Sequence, residues 1–135
     1  MGGAINTGLK AVTGEFLTWP DADDFLEKDS IKKKVDFLIK NKPIAAVSTD
    51  AYMYNEDNFS KPIALIADYY PRITEKNQFC LLLDEKSIFC PGCHLIRMKT
   101  LKKVNPDLTI YPSRLGQNWQ LLLPIYYRYN HGFIN

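Results

Sequence analysis

Cys90-Pro91-Gly92-Cys93 is the stretch of this chain whose residue types and spacing most directly suggest chemistry. Two thiols three positions apart can share a metal ion, exchange with a disulfide, or pack as small apolar groups. Pro91 is pre-set for a first helical turn, where its missing N–H would have been unpaired anyway. A helix opening there would aim unpaired amides at both sulfurs and favour thiolate. Further ligand candidates are few: Cys80, His94 and His131. His94 also completes a C-x-x-C-H haem-attachment pattern, which the lack of a charged-then-apolar leader disfavours.

The elements around the pair must position it. The apolar run Phe79–Leu83 predicts a strand, residues 84–87 a polar link, and residues 108–111 a second strand. Leu95, Met98, Leu101 and Val104 recur every three residues and predict a helix over 91–104 that Asn105-Pro106 ends. Leu81-Leu82-Leu83-Asp84-Glu85, Cys90-Pro91-Gly92-Cys93 and Asn105-Pro106-Asp107-Leu108-Thr109-Ile110, in that order, resemble the bacterial polymorphic-toxin branch of the zinc nucleobase deaminase family. The resemblance implies a deaminase-like core that acts on nucleobases or is catalytically degenerate. It further implies zinc on Cys90 and Cys93, with Cys80 or a histidine as third ligand. The H-x-E half of that family has no counterpart before Cys90, because both histidines follow it, so the catalytic residue stays unassigned.

Two alternatives stand beside that reading. One is a thiol-disulfide redox protein, with Cys90 attacking and Cys93 resolving. The other is a non-enzymatic interaction domain with structural zinc: a toxin, an immunity protein or a phage-type accessory protein. Arg97, Lys99, Lys102, Lys103 and Arg114 gather around the predicted helix and the strand after it. They are candidate contacts to a nucleic-acid backbone, set against a merely solvated helix face. The expected partners are thus a nucleic acid or nucleotide, and a protein. No apolar run approaches membrane-spanning length, so no membrane partner is expected.

The remaining chain bounds these readings. With 135 residues, 46% hydrophobic and 24% charged, it suffices for one core, and a net charge of +2 does not by itself imply a polyanionic partner. Three cysteines cannot all pair internally, so a reducing cytoplasm is expected. Residues 1–20 read as an N-terminal arm with a weak helix over 4–12, and residues 21–135 as a single domain. Asp21, Asp23, Asp24 and Glu27 read as a solvated first helical turn rather than a metal site, because nothing in the sequence fixes their geometry. A helix at 30–41 follows from Ile31, Val35, Leu38 and Ile39, with Lys32, Lys33, Lys34 and Lys40 facing water. Ile44–Thr49 and residues 62–70 read as strands around an exposed loop, and residues 119–129, interrupted by Pro124, as one or two more. The fold class is α/β: a two- or three-layer sandwich whose mixed sheet has about five strands, with helices at 30–41 and 91–104.

Overall fold

The computed structural model describes residues 2–88, 90–113 and 116–135. Helix α1 (Gly2–Ala11) leads into the short strand β1 (Phe16–Leu17), then α2 (Ser30–Lys40) and β2 (Ile44–Thr49). A small antiparallel hairpin, β3 (Tyr52–Met53) with β4 (Ala64–Leu65), precedes a 3₁₀ turn at Ile66–Tyr69 and helix α3 (Phe79–Leu83). A second 3₁₀ turn, Pro91–Cys93, enters β5 (His94–Arg97), followed by α4 (Met98–Val104), α5 (Gln117–Arg128) and β6 (Asn130–Ile134). The main sheet runs β1-β5-β2-β6, with β5 antiparallel to both of its neighbours and β6 parallel to β2. The expected α/β class with a mixed sheet is therefore present, built on four strands.

Alternation along β5 sends successive side chains to opposite faces. Leu95 joins Val47 and Leu38 of α2 on one side. Ile96 joins Ala46, Met98 and Leu101, together with Leu121, Leu122, Ile125 and Tyr126 of α5, on the other. Helices cover both faces, which makes the arrangement three-layered. The segment over residues 2–20 is tied to the sheet: Leu9 is buried in the second face, Leu17 packs on it, Phe16 packs on the first, and β1 pairs Phe16 with Arg97 and Leu17 with Ile96.

Several expected elements take another form. Phe79–Leu83 is a helix, not a central strand; Leu81 and Leu82 are buried while Cys80 and Leu83 are exposed. A short apolar run carries no periodicity that separates the two. Its start is fixed by the buried Gln78, whose amide donates to the carbonyls of Arg72 (3.0 Å) and Glu75 (2.7 Å) and whose Oε1 accepts from Ser87 (2.8 Å). Residues 91–104 are not one helix, because β2 captures His94–Arg97 into the sheet and leaves only Met98–Val104 helical. Residues 108–111 pair with no strand; the backbone of Ile110 is satisfied by the Asn6 side chain through two bonds of 2.8 Å. The strand, CxxC, helix, strand unit behind the deaminase-like core is therefore not formed.

Pro124 lies inside α5 rather than between strands. A proline there costs about 3 kcal/mol. Leu121, Leu122, Ile125 and Tyr126 are all buried around it, at roughly 1.5–3 kcal/mol for each large apolar side chain, so burial wins. Among the described residues no helix is long and apolar enough to cross a membrane.

Candidate functional site

Asp21-Ala22-Asp23-Asp24 leaves the end of β1 as a tight turn, closed by the Asp24 N–H donating to the Asp21 carbonyl at 3.2 Å. It lies well before α2 begins at Ser30, so these carboxylates are not the first turn of a helix. Partial burial, then the negative charges of Asp24 and Asp23, push the Asp21 carboxyl above its ordinary value.

What holds the turn is the CPGC segment. A methyl group on Gly92 would stand 3.5 Å from both Leu26 Cδ2 and Pro20 Cβ, so its backbone packs directly against the two ends of the acidic stretch. The Cys90 thiol reaches the Asp24 carboxylate at 3.6 Å. From α2, the fully buried Lys34 donates to the Gly92 carbonyl at 2.7 Å. Lys34 was expected to face water with Lys32, Lys33 and Lys40. Instead its ammonium reaches this turn, where burial lowers its pKa and the nearby sulfurs of Cys93 and Cys90 oppose that shift. Trp19 is anchored by its indole N–H to Asn118 (2.8 Å) and lies stacked on His94, 6.3 Å between ring centroids. The two stretches that looked separate in the sequence, the acidic cluster and CPGC, are thus one structural unit.

The cysteines divide by burial. Cys93 is buried with Ile73 and Ile88 and packs as a small apolar side chain. A hydrogen bond from Cys93 holds the Cys90 thiol below its ordinary pKa, against burial and the charge of Asp24; that same bond, then burial, pushes Cys93 up. Cys80 is exposed on α3 and is not brought to the pair: the described residues hold no group of three or more His, Cys, Asp or Glu side chains placed for a metal ion. Iodoacetamide should therefore modify Cys90 at a pH below that of an ordinary thiol while Cys93 is spared, with Cys80 as the accessible reference. Peptide mass spectrometry reads both, and equal labelling of Cys90 and Cys93 would contradict this assignment.

The basic residues differ in their surroundings. Arg97 donates to the Ile44 carbonyl (2.9 Å) and the Leu38 carbonyl and lies over the Phe16 ring, so it ties the end of α2 to the sheet. Lys99, Lys102 and Lys103 are exposed on α4, and Arg114 lies outside the described residues.

The model of glycosyl transferase family 2 matches residues 1–104. The chain belongs to that family. An uncharacterized glycosyltransferase of Haemophilus influenzae is 28% identical over 89 residues, covering 63% of this chain and 36% of that relative. This family 2 chain therefore spans about a third of the length of that relative. Membership corrects the deaminase resemblance and, with it, the nucleobase, thiol-disulfide redox and toxin, immunity or accessory readings. The family match includes the acidic turn, β1, α2, β2 and the CPGC segment with β5 and α4. The acidic turn is the part of the site that reading the sequence missed. Its signal was present: a helix that begins at residue 30 leaves Asp21, Asp23 and Asp24 outside its first turn.

Proposed function

We propose that this chain carries the donor-binding acidic turn of a glycosyltransferase that uses a phosphate-activated sugar. The observation that carries the reading is the crowding of Asp21, Asp23 and Asp24 in the turn that follows the edge strand β1 in a family 2 chain. Glycosyl transfer breaks the bond from the anomeric carbon to a leaving group, and a phosphate-bearing leaving group departs with negative charge. Bare carboxylates repel such a group, so they hold it only through a cation.

The donor set fits a hard divalent ion of the magnesium or manganese type, which takes one or two protein carboxylates and completes its shell with water and phosphate oxygens. It does not need the caged group of three ligands that is absent among the described residues. One or two of Asp21, Asp23 and Asp24 would hold that ion, which when bound would neutralise charge on the leaving oxygen. The chain's own part is to keep these carboxylates fixed: the CPGC backbone supports the turn, Lys34 secures Gly92, and Trp19 anchors the approach. The nucleotide partner expected from the sequence then enters as the donor's nucleotide. Three free cysteines support a reducing, cytoplasmic setting for this chemistry.

The test is to incubate the protein with UDP-glucose, UDP-N-acetylglucosamine and GDP-mannose, with manganese or with chelator, and to follow release of nucleoside diphosphate. Cation-dependent release from at least one donor is expected. Donor binding that ignores both the chelator and neutralisation of the three aspartates would remove the proposal.

A further inference from the structure

Phe25 follows Asp24 directly and stands 67% exposed, in contact with rings from the β3–β4 hairpin. Its centroid lies 6.1 Å from that of Tyr54 and 6.5 Å from that of Phe59; Tyr54 is 6.2 Å from Phe59 and 6.4 Å from Tyr52. Phe59 is 64% and Tyr52 56% exposed, so four rings meet without being buried. An apolar group of this kind beside a polar site marks a binding surface.

The hairpin that presents it is braced. Asp50 accepts from the N–H groups of Ala51 (2.8 Å) and Ala67 (2.9 Å), Ile63 N–H donates to the Met53 carbonyl (2.7 Å), and Asn58 accepts from the Ser60 N–H (3.0 Å). A held platform gives up little freedom on binding.

We propose that Phe25, Tyr52, Tyr54 and Phe59 form the acceptor subsite and hold a pyranose ring of the sugar that receives the transferred group. This deepens the glycosyl-transfer reading and rests on it. Three features select that occupant. The platform is continuous with the acidic turn through the Asp24-Phe25 bond, so a ring resting on it lies next to the donor's phosphates. A pyranose has an apolar face of C–H groups that covers an aromatic ring and a rim of hydroxyls that needs polar neighbours; the phenol groups of Tyr52 and Tyr54 belong to the cluster itself, and the exposed Asn55 and Asn58 lie in the loop between Tyr54 and Phe59. The rings are tilted at 36–67° rather than stacked in one plane, a shallow cup rather than the parallel slot that a flat base would favour.

The probes are methyl β-D-glucopyranoside and methyl β-D-galactopyranoside, titrated into the protein while the ring protons of Phe25, Tyr54 and Phe59 are followed by NMR. At least one pyranoside is expected to shift these signals. Phe59→Ser and Tyr54→Ser should each weaken that response about tenfold. Tyr111→Ser, which removes a still more exposed ring outside the cluster, should not change it. Retained thermal unfolding in each variant excludes loss of fold.

Absence of any pyranoside shift overturns the proposal. So does a response to uridine monophosphate in place of the pyranosides, to phosphatidylglycerol vesicles, or a monomer–dimer change that Phe59→Ser removes. Manganese broadening of the amides of residues 21–24, measured alongside, reports the donor turn separately. Broadening with no pyranoside shift sinks the platform alone, and pyranoside shifts with no broadening sink the acidic-turn reading alone.

Discussion

Asp24→Asn is expected to lower cation-dependent glycosyl transfer by roughly 10²–10³-fold, the usual scale for removing one preorganised group that meets developing charge. The substitution is nearly isosteric and spares the backbone bond from the Asp24 N–H to the Asp21 carbonyl, so the turn keeps its shape. It also removes one of the charges that push Asp21 up, so the variant should be at least as stable as the parent. A fall in rate without a fall in stability separates a role in binding donor charge from a role in folding. An independent readout follows from the 3.6 Å contact with Cys90: the charge of Asp24 raises that thiol's pKa, and its loss should make Cys90 alkylate at still lower pH. Asp29→Asn, outside the turn and making no side-chain cap, should leave the rate unchanged. Full transfer by Asp24→Asn, Asp23→Asn and Asp21→Asn alike would remove the acidic turn from the mechanism.

The elements legible in the sequence are those whose local pattern and tertiary use agree. Helix α2 declared itself through Val35 and Leu38, which pack on the sheet, although Ile31 and Ile39 of the same expected stripe stay exposed and Lys34 is buried in their place; β2 declared itself through its β-branched and small residues. Phe79–Leu83 and residues 91–104 were misread for a common reason: both are decided by neighbours far along the chain. Gln78 and the contact of α3 with α5, shown by Phe79 and Tyr127 at 5.1 Å, settle the first, and pairing with Ala46, Val47 and Ser48 settles the second. A three-residue spacing of Leu95, Met98 and Leu101 looks helical. Yet Leu95 and Ile96 are buried on opposite faces of a sheet, which a single helix stripe does not provide.

The site was legible by residue and illegible by grouping. The cysteine pair and the aspartates were both visible, but chemistry was assigned to the thiols and solvent to the carboxylates. In the structure the thiol segment is largely support. Cys93 is core, Gly92 is packed between Pro20 and Leu26, and the charged cluster stands at the surface, where a charged ligand can reach it. The contact that joins the two stretches, Cys90 to Asp24, spans 66 positions of sequence, and no local pattern encodes it.

Stability should fall steeply as the pH drops below about 6, because two histidines are buried uncharged behind the site. His94 donates from Nε2 to the Ile88 carbonyl at 2.9 Å, leaving Nδ1 to accept from the Tyr126 hydroxyl at 3.4 Å. His131 pairs through Nε2 with Ser48 at 2.8 Å, and the Tyr126 ring meets its edge at 5.3 Å. Burial, with the charge of Lys34 assisting, lowers His94 from 6.5 to about 4. Burial, then proximity to His94, lowers His131 from 6.5 to about 3. The folded-state values lie below the unfolded ones, so between those limits the unfolded chain binds more protons. The stabilising contribution is complete above the unfolded value and is lost as pH falls toward 4 and then 3. Each histidine adds a slope of about 1.4 kcal/mol per pH unit in that window, large against the roughly 5–15 kcal/mol of a whole domain. Urea unfolding from pH 7.5 to 4.5 measures it. His94→Gln and His131→Asn should each be less stable than the parent at pH 7.5, because a buried partner is lost, yet each should lose stability more slowly on acidification. Unaltered slopes in both variants would place the acid sensitivity in the carboxylates instead.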